Sequence, residues 1–107
     1  MADIFEIPVS KENAAFSIRT ELDGVVFILR FAWNDRRERW VLSVFDANQS
    51  PIVVGVVMNI NSDLLGRFKD QELPEGMLML YDTSEKDIEC GRDDFGNRAK
   101  LLYQAGV

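Results

Sequence analysis

The chain has 107 residues, 47% of them hydrophobic and 10% aromatic, enough for one domain with a proper core and too apolar for a disordered segment. A formal net charge of −6 argues against nonspecific binding to nucleic acid or anionic lipid, both of which favour a basic surface. Histidine is absent, which removes the commonest general base and transition-metal ligand, and the single Cys90 excludes an intrachain disulfide and suits a reducing compartment. In chain order, the first thirteen residues lack a basic segment followed by an apolar one, so no signal peptide is expected. No apolar stretch approaches the length of a bilayer span.

Phe5, Ile7 and Val9 alternate at period two around Pro8, which cannot donate to a ladder; residues 1–13 therefore read as an edge strand or a surface arm. Phe16, Ile18, Thr20 and Leu22 alternate with Ser17, Arg19 and Glu21, a strand with one wet face. Asp23-Gly24 then gives the strongest hairpin signal in the chain. From Val25 to Asp46 the chain reads as an organising hairpin. Val25, Phe27, Leu29, Phe31 and Trp33 share one face, Trp40, Leu42 and Val44 share another, and the polar Asn34-Asp35-Arg36-Arg37-Glu38 lies between them. Tryptophans at both ends of that loop are placed to pack across the pair and fix its register.

Asp46 to Pro51 is dense in turn formers, and Ile52 to Met58 is apolar on both faces, as expected of a strand covered on two sides by the domain or by a partner. Asn61-Ser62-Asp63 offers caps for a short helical turn or tight corner at Leu64 to Phe68. Leu73-Pro74-Glu75-Gly76 reads as a turn, Met77 to Tyr81 as a strand, Asp82 to Asp94 as an exposed loop, and Ala99 to Tyr103 as a last strand after a turn at Asp94 to Arg98. About six short strands without a long helix indicate a single all-β domain over 1–107, an antiparallel barrel or sandwich with one short helical turn.

Candidate chemistry is sparse. The acidic run Asp82 to Glu89 has oxygens for calcium but not the spaced loop pattern with a central glycine, so it reads as a solvated loop. Asp93-Asp94 resembles a catalytic carboxylate pair, yet carboxylates equally serve as turn caps. Cys90 has Arg92 nearby but no histidine base, which favours a structural thiol. Arg36, Arg37 and Arg39 are largely offset by Asp35 and Glu38, which suits a protein contact or a solvated tip. Met58, Met77 and Met79 suit adaptable core packing. The residues thus define no active site, no metal site and no cofactor site, and more apolar strand surface than about a hundred residues readily bury.

Taken together, these segments resemble the small baseplate plug proteins of contractile-tailed bacteriophages and prophages. The resemblance is carried by Phe31-Ala32-Trp33-Asn34-Asp35-Arg36, then Trp40-Val41-Leu42-Ser43-Val44-Phe45-Asp46, then Pro51-Ile52-Val53-Val54-Gly55. It continues through Asp63-Leu64-Leu65-Gly66-Arg67-Phe68 and Leu73-Pro74-Glu75-Gly76-Met77-Leu78 to Gly96-Asn97-Arg98-Ala99-Lys100-Leu101-Leu102-Tyr103. The turn at Ala47-Asn48-Gln49-Ser50 departs from it by lacking a glycine, and the N-terminal arm matches nothing definite.

The resemblance implies a non-enzymatic structural protein without catalytic residues or cofactor. It would be made in the bacterial host cytoplasm and built into the virion tail baseplate, packed against hub and spike proteins under rotational symmetry. Homo-oligomers are compatible with this, and neither nucleic acid nor membrane is an expected partner. Interface anchors are usually aromatic or arginine side chains, which makes Trp33, Arg36, Trp40, Arg67, Phe68 and Tyr103 the candidates, although Trp40 and Tyr103 also suit the core. Two alternatives remain beside it: a β-rich module that binds a peptide or protein along a sheet edge, and a hydrolase using Asp93 or Asp94.

Overall fold

Alternating side chains between Val25 and Asp46 fold as the expected hairpin. Strand β3 (Val25–Asn34) pairs antiparallel with β4 (Arg39–Asp46), placing Trp33 opposite Trp40, Phe31 opposite Leu42 and Leu29 opposite Val44. Phe27, Leu29, Phe31, Trp40, Leu42 and Val44 are buried, while the residues between them are half-buried or exposed. The two indole rings meet edge to face with centroids 5.8 Å apart, the cross-strand contact that locks the register near the turn.

Four strands are hydrogen-bonded in this sheet: β2 (Ala15–Leu22), β3, β4 and β5 (Pro51–Val57), in that order. The second sheet has the order β1-β7-β6, with β1 at Ile4–Glu6, β6 at Met77–Asp82 and β7 at Ala99–Gln104. All pairings between named strands are antiparallel, and the fold is all-β. The computed structural model describes residues 4–7, 9, 14–22, 24–61, 63–66, 76–86 and 88–104. Pro8, Asp23, Ser62 and the expected turn at Leu73-Pro74-Glu75 lie outside them.

One margin of the two sheets is stitched together. Past β5 the Met58 N–H donates to the Trp40 carbonyl at 2.9 Å, after which Asn61 and Leu64 donate to the carbonyls of Leu80 and Leu78 on β6 at 2.6 and 2.9 Å. Leu64 and Leu65 are buried in a tight corner that takes 3₁₀ geometry at Gly66, in keeping with the expected short turn, and the segment caps β6 and fills the core. At the other margin β1 and β2 are not paired, so among the described residues the sheets do not close into a barrel. Their inner faces share one core that includes Trp40, Phe31, Phe95, Leu78, Leu101 and Tyr103.

Strand β5 departs from regular pairing. Leu42 opposes Val56 and Val44 opposes Val53, so three steps on β5 span two on β4, and Gly55 sits in this bulge at a φ of 81°. A left-handed backbone costs a residue with a Cβ about 1–2 kcal/mol, which explains glycine here. In the turn before β5, Gln49 takes a φ of 67°, the role a glycine would fill more cheaply. The Asp46 carboxylate holds that turn by accepting from the N–H groups of Asn48 and Ser50, both at 2.9 Å.

Chemical denaturation should register these features separately. Gly55→Ala is expected to lose about 1 kcal/mol and Gln49→Gly to gain up to about 1 kcal/mol, both through the backbone alone. Trp40→Ala should lose about 3–5 kcal/mol by emptying the middle of the core.

Candidate interaction surface

The connection from Asp82 to Asp94, expected from its polar sequence to be an exposed loop, is pinned at its base. Asp82 is wholly buried. One carboxylate oxygen accepts from the Ser84 hydroxyl at 2.7 Å and the Ser84 N–H at 2.9 Å, and meets the Arg98 guanidinium at 2.8 Å. The other oxygen accepts from the Ile88 N–H at 2.9 Å. Burial alone would raise the Asp82 carboxyl, but the Ser84 hydroxyl, the Ile88 and Ser84 N–H groups and Arg98 outweigh it and hold the group far below the usual carboxylate range.

Arg98 ties the rest of the connection down by donating to the carbonyls of Ile88 and Glu89 at 2.9 and 2.8 Å and to Asp94 at 3.1 Å. The same Asp94 oxygen accepts from the Gly91 N–H at 2.9 Å, so this carboxylate closes a turn. Exposed Asp93 sits beside it. Cys90 is buried, and desolvation, reinforced by the negative charge of Asp94, pushes its thiol up to about 12, a poor nucleophile. The consequence of this network is structural: it carries Phe95, legible in the sequence only as a turn residue, into the core against Trp40 at 5.0 Å and Phe31 at 5.2 Å.

The six anchors named from sequence separate by position. Trp40 is fully buried; its indole N–H donates to the Gly91 carbonyl at 3.3 Å, and Arg92 lies over its ring at 5.3 Å. Tyr103 is also buried, with its hydroxyl accepting from the Gly76 N–H at 2.8 Å. Both side chains are therefore packed inside the domain. Trp33 is half-buried at the base of the hairpin tip, its indole donating to Asp35 at 2.7 Å, and Arg36 is exposed on the tip beside exposed Arg37. Arg39 is engaged with Glu89 at 3.7 Å. Arg67 and Phe68 lie outside the described residues.

A broader surface was not singled out from sequence. The outer face of the β2-β3-β4-β5 sheet carries Val26, Ile28, Ala32, Val41, Phe45 and Val57, all half-buried, while Val54 in the bulge is 67% exposed. The apolar character of both faces of the β5 segment and the surplus of apolar strand surface were the sequence signals for it. Inner residues Val53 and Val56 are covered by the domain, whereas the outer ones keep access to solvent.

The molecule so far is a two-sheet β domain with an open apolar sheet face, an arginine-bearing tip and reactive groups tied into structural roles. The family model described as "Cyanophage baseplate Pam3 plug gp18" matches residues 4–106, and the chain belongs to this family of phage baseplate plug proteins. No curated protein matches it.

Asp82 makes the connection acid-sensitive. Its carboxyl is lower in the folded chain than in the unfolded one, so the stabilisation is fully present above the unfolded value near about pH 4 and is lost as pH falls below it. Thermal melts between neutral and strongly acid pH should therefore show the wild type losing stability in this acid range. Asp82→Asn should be less stable at neutral pH and should lose less on acidification. Arg98→Met should likewise lower the neutral melting temperature, because it leaves a buried carboxylate without its cation.

Proposed function

We propose that the chain is a non-enzymatic structural subunit of a phage tail baseplate that packs against the central hub or spike proteins. The observation that carries this reading is the family match across residues 4–106. The physical properties of the domain support it: a subunit that fills space between partners needs stiff strands, a surface suited to contact and few reactive groups. Here the carboxylates of Asp82 and Asp94 are bound to Arg98 and the Cys90 thiol is buried. In this reading the protein is made in the host cytoplasm and ends in the virion tail, and Trp33 and Arg36 at the hairpin tip, with Arg67 and Phe68, contribute to contacts. A second reading, a module that binds a peptide by strand addition, draws on the outer edge of β2, which is unpaired among the described residues.

Tagged co-expression with the products of the flanking reading frames, read by mass spectrometry, tests the proposal. Stoichiometric recovery of a hub or spike protein is expected. A monomeric chain that captures no tail component would overturn it.

A further inference from the structure

The outer face of the four-stranded sheet holds a shallow concavity of about 420 Å³. Its floor is Ile28 and Phe45, and its walls include Arg19 and Arg30, with Ser17 and Gln49 at the margin. The β2–β3 register explains the arrangement: Arg19 faces Ile28, Ser17 faces Arg30, and the alternation turns all four toward solvent. Both arginines are exposed, and among the described residues neither takes part in an ion pair or hydrogen bond. Arg98 and Arg39, in contrast, are committed to carboxylates. Two uncommitted guanidinium groups thus flank an apolar floor in a chain whose net charge is −6.

From this arrangement we infer that the concavity is a docking site for a segment of a baseplate partner that presents an apolar side chain flanked by carboxylates. The inference rests on the baseplate reading and adds the surface and the partner's chemistry. Charge complementarity selects this occupant. An arginine can bind a carboxylate through two parallel N–H donors, and partial burial under a partner would strengthen each pair. An apolar residue seated on Ile28 and Phe45 would remove half-exposed carbon from water, while the surrounding negative charge of the chain would discourage an acidic partner from docking elsewhere. Gln49 fits the same picture, since it holds its left-handed backbone in place of glycine and puts a side chain at the margin.

The experiment uses the full chain co-expressed with the flanking tail proteins, comparing wild type, Arg19→Glu/Arg30→Glu, and a control reversal away from the sheet face, Arg37→Glu/Lys86→Glu. Both pairs are exposed, so unchanged melting temperatures are expected and serve as the folding control. The proposal predicts that the β2–β3 reversal lowers recovery of the partner at least tenfold and the control reversal much less. Rising salt should weaken the wild-type complex, and reversing the acidic residues of the partner segment to lysine should restore binding to the Arg19→Glu/Arg30→Glu chain. If the wild type captures its partner and the β2–β3 reversal captures it equally well, this surface assignment is overturned while the baseplate reading stands. Failure of the wild type to capture any tail protein removes the baseplate reading first. Concentration-dependent self-association of the chain alone, abolished by the same reversal, would overturn the assigned occupant in favour of a second copy.

Discussion

The packing around Trp40 is the constraint on which the rest of the molecule depends. Its ring meets Trp33 across the hairpin, Phe16 from β2 at 5.9 Å and Phe95 from the connection between β6 and β7 at 5.0 Å. Three strands of one sheet and the connection between β6 and β7 therefore converge on one side chain. Aromatic rings supply large buried areas with defined edge and face geometry, so they fix the connection against the sheet more firmly than aliphatic contacts of equal area. Phe95 reaches this cluster because Arg98 fastens the chain before it, and Arg98 is held by a buried carboxylate. An apolar cluster and a polar knot are thus parts of one arrangement.

The ion pair between buried Asp82 and half-buried Arg98 is better understood as a device of specificity than as a large source of stability. Removing two charges from water is costly, and their attraction offsets that cost only when hydrogen bonds complete the geometry. Here Ser84, Ile88, Glu89 and Asp94 complete it. A polar sequence that would otherwise be free to wander is given a single path over the end of the sandwich, and Cys90 and Phe95 are buried under it. The arrangement suits a protein whose shape is its contribution to an assembly.

Much of this was legible in the sequence, for reasons that differ from segment to segment. The β3–β4 hairpin could be read because period-two alternation, a polar insert and paired tryptophans all point to one register. The Asp23-Gly24 signal located the β2–β3 turn, with Gly24 at a φ of 82°. The polar run after β6 was legible as a largely exposed loop but its anchoring was not, because local composition does not reveal a salt bridge between Asp82 and Arg98, sixteen positions apart. Trp40 and Tyr103 illustrate the limit for the surface: an aromatic at an inward position of a strand looks the same in sequence whether its cover is the domain or a partner. The patch at Arg19 and Arg30 was hidden for a related reason, since it exists only once the register sets Ser17 opposite Arg30 and Arg19 opposite Ile28. Sheet registry, not proximity in the chain, makes that site.

The chain belongs to the baseplate plug family, and the docking face proposed for it lies on the outside of its four-stranded sheet. The most direct test is a cryo-electron microscopy reconstruction of the assembled tail in which this chain can be traced. The account predicts the domain in the baseplate, with its two-sheet fold unchanged and the outer face of the β2-β3-β4-β5 sheet against another protein. A baseplate complete without this chain, or one holding it with that face toward bulk solvent, would contradict the account.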